Sequence, residues 1–229
     1  MLFNRIKRSI RKRGMGGTLV FAAQAVLSAK HWRKRQPIPD GFDERFGTDT
    51  AGMEQVADLD VPVELGLSSL AYEATKEVDF ESALALLPSD LSRFTFVDLG
   101  CGKGRVLLMA SLRPFAEIIG VEFSPKLAAL AEKNITAYRP HSICTAIRVI
   151  CTDVRQFTFP EVPLVVYMYN PFEGELLNSV IGRLEQSLES SPRQCYLIAN
   201  SMPSLQTNLF THVGRVLACA VYSFKSQSN

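Results

Sequence analysis

From about residue 80 onward, apolar positions recur with two alternating periods. Residues 80–88 (FESALALLP) place apolar groups at helical spacing and stop at Pro88. Residues 94–100 (FTFVDLG) are dense in aromatic and branched side chains and predict a strand, and 103–112 (KGRVLLMASL) predict the helix after it. The alternation continues with a strand at 117–123 (EIIGVEF), a helix at 125–138 (PKLAALAEKNITAY) and strands at 146–154 (AIRVICTDV) and 163–170 (PLVVYMYN). An amphipathic helix at 176–189 and a strand at 194–200 (QCYLIAN) follow. Residues 211–225 (THVGRVLACAVYSFK) have the composition of a terminal hairpin, broken near Gly214 or Ala218. Strands alternating with helices imply an α/β protein, a doubly wound and mostly parallel sheet covered on both faces. Ligands of such sheets lie at the C-terminal ends of the strands. The last two strands predict an antiparallel hairpin at one edge.

The first 79 residues do not share this rhythm. Residues 1–39 hold ten Lys or Arg and no Asp or Glu, whereas residues 40–229 carry 15 basic and 23 acidic groups, a net −8. The small overall charge of +2 therefore hides a basic arm on an acidic body. Within the arm, the apolar run at 14–29 is only 16 residues long and contains Gln24 and three glycines. A membrane-spanning helix needs about 20 strongly apolar residues, and Lys/Arg clusters on both sides of the run suit a cleaved export signal poorly. Two readings of the arm stand: a solvated basic tail, or a segment (residues 1–35) that lies on an anionic membrane surface through Phe3, Ile6 and Ile10 flanked by basic side chains. The QPIPDG stretch at 36–41 reads as a linker. Residues 40–79 form an N-terminal extension. Its segment 42–53 (FDERFGTDTAGM), rich in Gly, Thr and Asp, reads as a loop that forms either part of a substrate lid or plain surface. Residues 80–229 form the main domain. The five cysteines make an odd count without a CxxC pair, which fits buried thiols in a reducing cytosol better than a disulfide framework or a zinc site.

The chemistry concentrates in FVDLGCGKGR, residues 96–105. Gly100, Gly102 and Gly104 stand at first, third and fifth positions, which is neither the G-x-G-x-x-G of a dinucleotide turn nor the spacing of a P-loop. Asp98 adds a physical objection, because a carboxylate at the mouth of the turn repels phosphate. It suits a ligand that presents positive charge, and S-adenosylmethionine, with an ammonium and a sulfonium, is such a ligand. Carboxylates recur at the next two strand ends, Glu122 in VEF and Asp153 in TDV.

VDLGCGKG resembles the first motif of class I S-adenosylmethionine-dependent methyltransferases, and the resemblance covers about residues 70–225. It implies a Rossmann-like sheet of seven strands and S-adenosylmethionine as cofactor. It also implies that Gly100, Cys101 and Gly102 bring backbone against the methionine part of the cofactor, with Asp98 facing its ammonium. Glu122 then matches the carboxylate that grips the ribose hydroxyls. Asp153 matches the acceptor for the adenine amino group, with Phe123 and Val154 lining the ring. YNPF, ending in Asn170, Pro171 and Phe172, is similar to the [DNS]-P-P-[FYW] signature of enzymes that methylate nitrogen, with one proline missing. The side-chain oxygen of Asn170 would hold the amino group, catalysis by positioning, and Phe172 would pack on the substrate. LAYEAT, residues 70–75, resembles the segment that small non-SET lysine methyltransferases place over the cofactor, with Ala74 where proline is expected, and nominates Tyr72 and Thr75.

These readings predict a cytoplasmic monomeric methyltransferase, peripheral to the membrane if the arm binds lipid. The expected acceptor is an amine such as a protein lysine or N-terminus. Methylation of oxygen or carbon in a small molecule stands as the alternative, as does a non-catalytic cofactor-binding adaptor at a membrane. Nucleic acid is disfavoured as substrate, because the −8 body repels phosphates. No metal is implied.

Overall fold

The computed structural model describes residues 40–54, 72–169, 174–202, 205, 207 and 209–224. The elements in chain order are α1 (Phe42–Phe46), β1 (Met53–Glu54), β2 (Tyr72–Glu73), α2 (Glu77–Leu84), β3 (Thr95–Leu99), α3 (Arg105–Ala110), β4 (Glu117–Glu122) and α4 (Pro125–Tyr138). They continue with β5 (Ile147–Cys151), β6 (Leu164–Tyr169), α5 (Gly174–Ser190), β7 (Cys195–Asn200), β8 (Phe210–Val216) and β9 (Cys219–Phe224). Seven strands form one sheet in the order β5-β4-β3-β6-β7-β9-β8, while β1 and β2 pair separately as an antiparallel ribbon. The first five are parallel, and β9 runs antiparallel between β7 and β8. This is the Rossmann-like α/β sheet the alternation predicts.

The strands are apolar almost without interruption because both faces are covered. Alternate residues of each strand enter opposite cores. Phe96, Val165, Tyr167 and Ile198 pack with α2 and α3 on one side. Val97, Leu99, Ile119, Val166 and Leu197 pack with the inner face of α5 on the other. Among the described residues, four cysteines are buried and Cys151 is exposed, all five as free thiols. Burial pushes the Cys195 and Cys219 thiols up to about 12, so they pack as small apolar groups.

Helix α4 begins as its sequence dictates: Pro125 occupies the first turn and the Ser124 hydroxyl accepts from the Leu127 N–H at 3.4 Å. The terminal hairpin turns at Leu217–Ala218, one of the two expected places. Gly214, the other, lies at a register shift beside His212, where β8 bulges against β9. Where composition suggests a loop at 42–53, the first five residues form α1, whose Phe42 is buried and stacked on Tyr138 with ring centres 5.9 Å apart. A two-sided aromatic contact outweighs the weak local propensity of so short a helix.

The order of strands reverses between β3 and β6, since β4 leads away to one side of β3 and β6 to the other. The crevice outside the C-terminal ends of these two strands is where such sheets bind ligands.

Candidate active site

Strand β3 delivers the glycine turn into this crevice. Gly100, Gly102 and Gly104 all have positive φ, 85°, 54° and 85°, so their alternation in sequence is a backbone requirement. The turn folds back onto β4, with the N–H groups of Gly100 and Cys101 both donating to the Val121 carbonyl at 2.8 and 3.0 Å. Gly120 in β4, which pattern reading passes over, makes this approach possible. A Cβ there would stand 2.6 Å from Leu107 Cδ1 and 2.7 Å from Cys101 Sγ, both buried. Gly120→Ala is therefore expected to destabilise the protein by about 1–3 kcal/mol in denaturant unfolding, and to disturb the turn through Cys101. An unchanged midpoint would show that the contact relaxes freely.

Two carboxylates face the turn. Asp98 is 3 % exposed, and no hydrogen-bond donor reaches it among the described residues. Burial pushes its carboxyl well above the ordinary range, and the negative charge of Glu122 raises it further. Glu122, also 3 % exposed, ends β4. One of its oxygens accepts from Gly102 N–H at 2.9 Å and the other from Ser124 N–H at 2.8 Å, tying the turn to the start of α4. Burial raises the Glu122 carboxyl too, opposed by hydrogen bonds from the backbone of Ser124, Gly102 and Phe123. Three backbone donors leave the carboxylate about one further lone-pair site for a hydroxyl donor. Among the described residues no cation pairs with either acid, an unfavourable arrangement that a positively charged ligand relieves.

The remaining sequence-derived residues are distributed as follows. Cys101 is buried within the turn, and Gly100 is exposed at its mouth. Phe123 is partly buried at the end of β4, and Val154 is buried in the core on the α5 side. Asp153 follows β5, but its carboxylate is already engaged. It caps the short 3-10 helix Val154–Gln156 by accepting from Arg155 N–H and pairs with the Arg155 guanidinium, Nε to Oδ2 at 2.9 Å. The bond to Arg155, ahead of the opposing effect of burial, lowers its carboxyl. An adenine amino group would share that carboxylate with Arg155.

Thr75 is buried, with its hydroxyl 3.0 Å from that of Tyr167 on β6, which also accepts from Asn200 Nδ2 at 2.8 Å. Tyr167 stands beside Asp98 in the sheet register, and burial together with that acid keeps its phenol well above the usual range. Thr75 is thus one end of a polar chain crossing two strands at the crevice. The Tyr72 side chain and Asn170, Pro171 and Phe172 lie outside the described residues. The structure also brings in groups the motif reading omits: Lys103 and Arg105 between and after the glycines, and Asn134 on α4. Lys103 and Arg105 are visible as basic residues in the turn, but nothing in the linear sequence names their partners.

Residues 96–189 match a family described as "Methyltransferase domain". No curated protein matches the chain. Solved structures with a similar arrangement include an RNA methyltransferase from Salinibacter ruber in complex with S-adenosyl-L-homocysteine. It is 21% identical, with 66% of this chain and 91% of that one covered and a TM-score of 0.46. The magnesium protoporphyrin IX methyltransferase of Synechocystis PCC 6803 with bound SAM is 16% identical over 66% of this chain and 79% of its own, with a TM-score of 0.49. An rRNA methyltransferase from Streptomyces viridochromogenes is 16% identical over 67% and 86%, with a TM-score of 0.47.

Proposed function

We propose that the methyltransferase domain spanning residues 96–189 takes its methyl group from S-adenosylmethionine and transfers it to an amine nitrogen, such as that of a protein lysine. The observation that carries the cofactor reading is the pair of buried carboxylates, Asp98 and Glu122, against a turn of three positive-φ glycines. Their charge complements a ligand bearing ammonium and sulfonium groups. When bound, the cofactor supplies a methyl group on a positively charged sulfur that an in-line nucleophile displaces. Asp98 would hold the ammonium, and the Glu122 carboxylate would accept from the ribose hydroxyls. The nitrogen reading rests on the YNPF motif. Asn170 accepts a hydrogen bond from the acceptor N–H and so aims its lone pair, while the proton released from the product ammonium passes to solvent. Such a reaction needs orientation more than acid–base help.

Calorimetric titration with S-adenosylmethionine and S-adenosylhomocysteine tests the cofactor reading directly. The acceptor follows from incubating labelled cofactor with cell extract and identifying the modified atom. Label on an amine nitrogen supports the proposal; label on a hydroxyl or carbon overturns its second half, and binding without transfer favours an adaptor. Asn170→Ala is expected to lower turnover at saturating cofactor by about 100-fold, with cofactor affinity held within about twofold. Collapse of cofactor binding with normal residual turnover would give Asn170 a different role.

The arm of residues 1–39 is proposed to hold the enzyme at an anionic membrane surface. The attachment proposed is electrostatic and peripheral, resting on the ten basic residues of the arm; no helix of the described residues is long and apolar enough to cross a membrane. Each basic residue near such a surface contributes on the order of 1 kcal/mol, and attraction weakens as salt shortens the screening length to about 8–10 Å. Full-length protein should sediment with anionic vesicles at low salt and not with neutral ones. A truncation beginning near Pro39 should lose that preference while still binding cofactor. Equal sedimentation of the two proteins would leave the arm as a solvated tail.

A further inference from the structure

The glycine turn is held from outside by residues 40–51. Lys103, between the second and third glycines, has a side chain only 6 % exposed, and its ammonium donates to Asp49 Oδ1 at 3.0 Å and to the Ala51 carbonyl at 2.9 Å. Asn134, buried on α4, locks the same two residues together. Its Nδ2 donates to the carbonyls of Asp49 and Lys103, each at 2.9 Å, and its Oδ1 accepts from Asp49 N–H at 2.8 Å. The loop bearing Asp49 is itself shaped by Asp43, whose carboxylate accepts from the hydroxyls of Thr48 and Thr50 and from the N–H groups of Thr50 and Ala51. Next along the turn, Arg105 pairs with Asp40 and lies over the Phe42 ring at 4.4 Å.

These contacts converge on the part of the turn least able to hold its own shape. A run of alternating glycines has the largest backbone freedom to lose, so its working conformation needs external restraint. Lys103 directly follows Gly102, whose N–H is the hydrogen-bond donor to Glu122. Holding the Lys103 carbonyl and ammonium narrows the conformations open to the adjacent Gly102 amide, and with them the orientation of the Glu122 carboxylate.

We propose that Asp49 and Asn134 are positioning residues for cofactor binding, acting through Lys103 to hold the glycine turn and Glu122 in the binding geometry. The inference rests on the cofactor reading above. Preorganisation of this kind raises affinity by removing the cost of ordering the turn when the ligand arrives. Asp49 meets neither the glycine turn's backbone nor Glu122 in any described hydrogen bond, and its side chain is 64 % exposed, so its replacement removes no apolar packing and acts through the buried Lys103 ammonium.

The test is calorimetric titration of the full-length chain with S-adenosylhomocysteine, well below each variant's melting temperature. Asp49→Ala and Lys103→Met are each expected to weaken binding by about tenfold, and the double variant by no more than the weaker-binding single. Glu44→Ala, on the exposed side of α1 and away from the clamp, should stay within about twofold of wild type. If the singles lower the melting temperature but leave affinity within twofold, the contacts merely fasten residues 40–51 and the inference fails. Losses that multiply in the double variant also overturn it, because Asp49 would then not act through Lys103. Wild-type protein that does not bind S-adenosylhomocysteine overturns the cofactor reading and this inference with it, whereas wild-type binding with unaffected variants overturns this inference alone.

Discussion

Asp98→Asn is expected to stabilise the ligand-free protein while weakening its affinity for S-adenosylmethionine by about 10–100-fold, the worth of a hydrogen bond to a charged group. The acid is buried, has no donor among the described residues and stands near Glu122, so its ionised form is unfavourable until a cation arrives. The amide keeps the shape and removes the charge, and the melting temperature should rise by about 2–4 °C for each kcal/mol relieved. The pH dependence has a definite sign. Because the folded pKa lies above the ordinary value of 3.8, the folded protein holds a proton that the unfolded chain releases. Stability is therefore greatest at low pH for this group and falls as pH rises from that ordinary value through the raised folded one. In the Asn variant this dependence should vanish. Cofactor affinity should run the opposite way in wild type, rising with pH as Asp98 ionises, with proton release visible as a buffer-dependent binding enthalpy. An Asn variant that binds as tightly as wild type would remove Asp98 from the site.

Glu122→Ala is expected to do the reverse to stability. Its carboxylate serves the N–H groups of Gly102 and Ser124, and deletion leaves two buried donors unpaired. Each orphan costs about 1–3 kcal/mol. Relief of the buried charge offsets part of this, so a net loss of about 2–4 kcal/mol in urea unfolding is expected. Affinity should fall by about 10–100-fold, since the turn and the ribose contact go together. Glu122→Gln, which keeps a carbonyl acceptor, should retain more of the fold than Ala. A rise in stability on Glu122→Ala would mean that the acid behaves like Asp98 and that its two backbone bonds carry little.

The contrast between these acids also marks what a linear reading can reach. Both were legible as candidates because each lies at or beside a strand end in register with a glycine turn, and strand ends follow from hydrophobic period alone. Their opposite roles were not legible, because Glu122 accepts from backbone donors and Asp98 accepts from none among the described residues, and that depends on how the turn folds over β4. Gly120 was passed over for the same reason, since its need arises from a contact with Cys101. Asp153 could be placed after β5 from the sequence, yet its pairing with Arg155 depends on the local bend of the 3-10 helix. The main sheet was readable nearly strand by strand because unbroken apolar runs separated by helical ones leave few alternatives. The clamp at residues 40–51 was not, because its composition is that of a loop and its partners, Lys103 and Asn134, are remote in sequence.

The position of β9 has a consequence for how the chain assembles during synthesis. β9 is drawn from residues 219–224 yet sits inside the sheet, and β8, made earlier, meets the sheet only through it. Until β9 emerges from the ribosome, the outer edge of β7 has no described partner and β8 has nowhere to dock. The parallel half, β3 to β7, can form its crossovers as it is made, but the exposed β7 edge is open to pairing with other chains throughout that interval. Pairing of the β8–β9 hairpin with β7 is thus the event that seals the sheet, and slow synthesis of residues 219–224 would lengthen the window for aggregation.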